Sequence, residues 1–344
     1  MMKKSANLTK FILDFIDESQ NNRSEFVPIL SNSRFQETLL NYADINGLYY
    51  AVAQTIKQLG IPLLKPERFS LELKQIAEIK TTIEILNSIS SEYGVKYILI
   101  KDINNVQNVA RDVDILIHKA DWDIMKNALF ERGFTIIHDN PAEISFEARG
   151  CRRVDIYNGI SYFHKDFIRS NRLWGSIEIH TTHGVSHPGL SCSLSLLVNS
   201  IHGIFGHPYL SLLDYISFLR SISDKTIVDN SIKIANELGW SRLFERWIER
   251  IQVFNDRIEK QGRFLRFPVR NGISFTLDCV TMIEDIDFAS RAKFAMAINL
   301  IWDDLLFVAN KSGIGPRFKS SMILPIMTNR LGHSLRLLRG DSKY

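Results

Sequence analysis

Cysteine is scarce: Cys151, Cys192 and Cys279 are far apart, odd in number and never spaced as Cys-x-x-Cys. Neither a disulfide framework nor a thiolate zinc site is indicated, and a reducing, cytoplasmic setting fits best. Long apolar runs are also missing. Phe11-Ile12-Leu13 is cut short by Asp14, too brief for a signal peptide. The apolar stretches 196–210 and 294–307 are broken by Asn199, His202 and His207, and by Asp303 and Asp304, so no membrane span is expected. No Walker phosphate loop, dinucleotide fingerprint, serine-hydrolase elbow or His-Glu-x-x-His occurs, which removes several common enzyme classes. Neither sign of charge dominates, with 42 Lys+Arg against 38 Asp+Glu. What remains is 344 residues, 45% of them hydrophobic, enough for a sizeable core and two or three domains.

The charge is unevenly placed. Residues 311–344 carry seven Lys or Arg against Asp341 alone. A second basic and aromatic run spans Arg263-Phe264-Leu265-Arg266-Phe267-Pro268-Val269-Arg270. Alternating guanidinium groups and rings suit single-stranded nucleic acid, whereas a solvated surface is the commoner use of such a run and is favoured here.

Along the chain, residues 5–92 read as helical, most clearly where Ile76, Ile79, Ile83, Leu86 and Ile89 recur in steps of three and four before a capping Gly94. The texture then changes. Tyr97-Ile98-Leu99-Ile100 and Asp112-Val113-Asp114-Ile115-Leu116-Ile117 read as strands. A helix capped by Asp121, packing Trp122, Met125, Leu129 and Phe130 and ending at Gly133, separates them from strands at 134–137, 144–146, 153–157 and 176–180. Helices return at 194–205, 209–221, 232–251 and 287–308. The expected architecture is α/β (α+β), a mixed-sheet core at 93–188 between a helical N-terminal region, 1–92, and a helical C-terminal domain, 189–344.

The strongest local signal is Arg111-Asp112-Val113-Asp114-Ile115-Leu116-Ile117. Carboxylates at i and i+2 of a strand share one face, about 6–7 Å apart at Cα, while Val113, Ile115 and Ile117 take the other. Such a pair needs a compensating cation, and hard oxygen ligands favour Mg²⁺ or Mn²⁺. Asp155, in Arg153-Val154-Asp155-Ile156-Tyr157, is the candidate third acid, and Glu178, between Ile177 and Ile179, is its rival. Three acids side by side can hold two metals, the clamp for in-line attack of a hydroxyl on a nucleotide α-phosphate. The alternative is solvated carboxylates, or acids paired with Arg111 and Arg153.

A strand ending in Lys101, a short loop, the Asp112/Asp114 strand, a helix to Gly133 and a strand carrying Asp155 together resemble the nucleotidyltransferase superfamily of the DNA polymerase β type, over about residues 93–220. The resemblance implies a nucleotidyltransferase-like mixed β-sheet and transfer of a nucleoside monophosphate from a nucleoside triphosphate to an acceptor hydroxyl, with Mg²⁺ or Mn²⁺ as cofactor. By it, Asp112, Asp114 and Asp155 are the metal-binding and catalytic acids and Lys101 meets phosphate oxygens; Asn104, Asn105 and Arg111 are this chain's own candidate donors to the triphosphate. His202, Gly203, Gly206, His207 and Asp214 resemble the C-terminal region of the same proteins. One departure stands out: the superfamily's Gly-Ser or Gly-Gly turn is replaced by Lys101-Asp102-Ile103-Asn104-Asn105, with no glycine between Gly94 and Gly133. That change favours the alternative of a catalytically inactive binding or interaction module on the same fold.

His180, His183 and His187 could share a metal if helical, but Gly184, Pro188 and Gly189 mark a loop there. His180 is kept as a possible substrate contact near the acids. Trp174, Trp240, Trp247 and Trp302 lie among aliphatic residues and read as core or interdomain packing.

Overall fold

A computed structural model describes residues 8–16, 23–45, 47–100, 109–139, 143–162, 165–168, 170–201, 212–239 and, within 241–252, all but 242, 243, 246 and 250. The basic C-terminal stretch, the Arg263–Arg270 run, the 287–308 helix, Lys101, Asn104, Asn105, His202, His207, Trp240 and Trp302 lie outside the described residues.

The N-terminal region is helical, as its periodicity requires: α1 (Leu8–Ile16), α2 (Val27–Leu30), α3 (Ser33–Ile45), α4 (Tyr49–Gln58) and α5 (Pro66–Tyr93). Pro66 sits in the first turn of α5, where its missing N–H costs nothing, and Gly94 ends the helix in the left-handed region at φ 70°.

Beyond it come β1 (Tyr97–Leu99), β2 (Asp112–Ile117), α6 (Trp122–Glu131), β3 (Thr135–Asp139), β4 (Glu143–Glu147) and β5 (Arg153–Tyr157). They are followed by β6 (Ile160–Tyr162), β7 (Lys165–Ile168), α7 (Ser170–Trp174), β8 (Ile177–Thr182) and β9 (Val185–Leu190). Seven strands form one mixed sheet in the order β3-β4-β5-β2-β1-β9-β8, and β6 and β7 pair separately. The chain is therefore α/β with a mixed sheet flanked by helices. β2 runs parallel to β5, and β1 parallel to β9; the other neighbours are antiparallel.

Each face of the sheet has its own core. On one, Val113, Ile115, Ile117, Val154, Ile156, Ile144 and Phe146 pack with Ile79, Ile83, Leu86 and Ile89 of α5 and Met125 and Leu129 of α6. On the other, Ile98, Ile100 and Leu116 join the N-terminal helices and α8 (Cys192–Ile201), α9 (Leu212–Ile222) and α10 (Lys225–Glu237). Helices before and after the sheet thus share one core.

Four local expectations are corrected. Asp121 makes no side-chain cap, because a short 3₁₀ turn over Lys119–Asp121 leads into α6 instead. Phe130 is largely exposed and touches Phe146 only edge-on. Residues 183–189 are not a loop: His183 and Gly184, both at positive φ, turn the chain into β9. The 232–251 helix begins earlier and breaks, since Asp224 caps α10 by accepting from the Thr226 and Ile227 amides and Gly239 stands at φ 79°.

Candidate metal centre

Strand register assembles the site. The parallel β2/β5 pairing sets Asp112 beside Arg153, Asp114 beside Asp155 and Leu116 beside Tyr157. Neighbouring strands lie about 4.8 Å apart, so in-register residues put their side chains side by side. Three carboxylates separated by some forty positions in sequence meet in this way. One oxygen from each of Asp112, Asp114 and Asp155 lies within 4.8 Å of the others. Ligands around a single Mg²⁺ are at most about 4.2 Å apart, twice the ~2.1 Å bond, so the set needs only a small contraction to close on one ion.

Burial sharpens the electrostatics. Asp155 is 2% exposed and Asp114 6%, while Asp112 is half-buried. Arg153, two residues before Asp155 on the same strand face, places a single nitrogen, Nη2, 2.6 Å from Asp112 Oδ2 and 2.7 Å from Asp155 Oδ2. The other oxygen of Asp155, Oδ1, is buried with no hydrogen-bond partner. Burial raises the Asp155 pKa above the ordinary carboxylate value and the Asp114 charge adds to the rise; Ser145 and Arg153 pull it down without cancelling it. Ser145 is the β4 register neighbour of Asp155 and lies close enough to act on the carboxyl without satisfying Oδ1. For Arg153, burial acts downward, but Asp155 and then Asp112 outweigh it and its pKa is raised.

Two further residues were not singled out by sequence reasoning. Tyr157, next on the Arg153/Asp155 face, hydrogen-bonds Asp114, and burial followed by the Asp114 charge drives its hydroxyl pKa far upward. It is a permanent donor to that acid. Period two along β5 was the signal that could have found it. Arg152 buttresses the site from behind: its Nε donates to the Ala110 carbonyl at 2.8 Å and its Nη1 lies 3.6 Å from Glu78 of α5. The chain entering β2 is thereby tied to the long helix.

Donor set and surroundings fit a hard divalent cation. All ligands are carboxylate oxygens, one buried oxygen is unsatisfied, and one guanidinium bridges two of the three acids. Arg111 is exposed immediately before β2.

Glu178 does not compete. It lies on the edge strand β8, separated from β2 by β9 and β1, and the Leu99–Gly189–Glu178 register puts it on the opposite face of the sheet. His180 is likewise removed from the acids, correcting the expected substrate contact. Its Nε2 donates to the Leu190 carbonyl at 2.8 Å, and its ring lies against Gly189. His187 is buried and shares a 2.9 Å hydrogen bond with Thr182. Among the described residues the three aspartates are the one group of three or more such side chains spaced to hold a metal. Trp247 is buried against Phe218 and Trp174 stacks on His118, as packing groups.

No family model matches the chain, and no curated protein matches it. Among solved structures it is similar to the lincomycin-bound lincosamide antibiotic adenylyltransferase LnuA, at 15% identity and a TM-score of 0.32, over 42% of this chain and 96% of that one. It is also similar to the antibiotic-resistance factor ANT(2'')-Ia, at 10% identity and a TM-score of 0.34, over 55% of this chain and 97% of that one.

Proposed function

We propose that this protein is a metal-dependent nucleotidyltransferase that moves a nucleoside monophosphate from a nucleoside triphosphate to an acceptor hydroxyl. The observation that carries the reading is the convergence of Asp112, Asp114 and Asp155 around a buried, unsatisfied carboxylate oxygen. The polymerase β-like order of strands and motifs supports it. Asp112 and Asp114 hold Mg²⁺ or Mn²⁺, and Asp155 completes the set. A bound divalent ion supplies charge neutralisation and alignment at the α-phosphate.

The rest is the work of this chain. In this reading Asp155 is the base for the incoming acceptor hydroxyl. As the acceptor oxygen bonds to the α-phosphorus, the bond from that phosphorus to the bridging oxygen breaks, pyrophosphate leaves, and Asp155 takes the hydroxyl proton. Tyr157 holds Asp114 oriented. Lys101, Asn104, Asn105 and Arg111 supply donors to the triphosphate in place of a glycine turn.

A second reading, an inactive binding module, is favoured by the Arg153 bridge across two of the acids. Incubation with α-phosphate-labelled triphosphates, Mg²⁺ and cell extract separates the two. Label moving to an acceptor, and its loss in Asp112→Asn, supports the transferase. Mg²⁺-independent binding without transfer supports the module.

A further inference from the structure

The acids of the candidate metal centre already have a cation among them. Arg153 offers one nitrogen to two different carboxylates, at 2.6 and 2.7 Å. Arg–carboxylate pairs are frequently bidentate, a fork-to-fork contact that fixes both guanidinium and carboxylate. Arg153 instead bridges, leaves Asp155 Oδ1 without a partner, and keeps 44% of its side chain exposed. Arg153 is exposed and belongs to neither hydrophobic core, so moving its guanidinium toward solvent removes no core contact.

We propose that Arg153 is a built-in counter-cation that closes the three-acid site while it is metal-free and exchanges with the divalent ion. Once displaced, its planar fork becomes available to the triphosphate oxygens. Cation loading and nucleotide capture are thus coupled through one side chain, and a chain without the glycine turn gains a phosphate donor next to the metal. The inference rests on the reading of Asp112, Asp114 and Asp155 as metal ligands.

Mn²⁺ binding, read from the loss of the free-ion electron paramagnetic resonance signal, tests it on the full-length protein and on Arg153→Gln, with folding of both followed by circular dichroism. Without nucleotide, Arg153→Gln binds Mn²⁺ about tenfold more tightly than the wild type, because the competing charge has gone. With Mn²⁺ saturating, the same variant binds a non-hydrolysable triphosphate analogue about tenfold more weakly, the phosphate donor having gone with it. Arg153→Lys, which keeps a charge but not the fork, retains the weaker metal affinity of the wild type. Equal or weaker Mn²⁺ affinity in a folded Arg153→Gln overturns the exchange while leaving the metal site standing. Absence of Mn²⁺ binding in both proteins overturns the metal-site reading itself and the exchange with it.

Discussion

Asp155 shows how a single residue is placed at odds with its surroundings. A carboxylate 2% exposed, with one oxygen unpaired, is costly to ionise, and its pKa is raised by burial first and by Asp114 second. In metal-free protein the folded state therefore holds this proton more tightly than the unfolded chain does. As pH rises from the ordinary carboxylate value of about 3.9 through the raised one, folded stability is lost. Asp155→Asn removes that term. The melting temperature of the variant should gain on the wild type as pH climbs through this window without Mg²⁺, and a gap that stays constant with pH would contradict the assignment. Asp112→Asn tests function at the same scale: label transfer from an α-labelled triphosphate should fall to background while the circular dichroism spectrum is unchanged. The acids were legible in the sequence because strand periodicity alone puts Asp112 and Asp114 on one side. What periodicity could not provide was the partner strand, and with it the choice of Asp155 over Glu178.

The elements most readily read are those with one strong period. α5 presents Ile79, Ile83, Leu86 and Ile89 to the sheet, and β2 alternates acids with Val113, Ile115 and Ile117, as expected. β9 was missed because Pro188 and Gly189 look like turn residues. Gly189 is instead where the His180 ring crosses the strand: a Cβ there would lie 2.3 Å from His180 Cδ2. Gly189→Ala should destabilise the protein by about 1–3 kcal/mol in urea unfolding, as overpacked sites do. Adding His180→Ala should restore part of the loss. If the single variant is neutral, the close packing of β8 on β9 is wrong. At α10, the Asp224 side chain accepts from the Thr226 amide at 2.8 Å. Asp224→Ala should cost about 1 kcal/mol, measurable by the same titration. The hairpin of β6 and β7 escaped sequence reading because its strands are only three and four residues long.

At the scale of the whole molecule, one sheet is held between two cores, and the acids share a face with Ile98, Ile100 and Leu116, which belong to one of those cores. Because helices that precede the sheet and helices that follow it pack on that face, damage to either core should be felt by both. Ile83→Ala and Leu197→Ala, one in each core, are each expected to lower a single unfolding transition by about 2–5 kcal/mol. Two separate transitions would show that the cores fold independently. The alternation of helix, sheet and helix could be read from the sequence, since it rests on local period. The sharing of a core by helices before and after the sheet could not, because no local pattern reports which helices meet. The central claim, that Asp112, Asp114 and Asp155 together bind a divalent ion, is tested most directly by anomalous diffraction from a crystal containing Mn²⁺. The account predicts a peak about 2.2 Å from oxygens of all three aspartates. Saturating Mn²⁺ with no peak among them would contradict it.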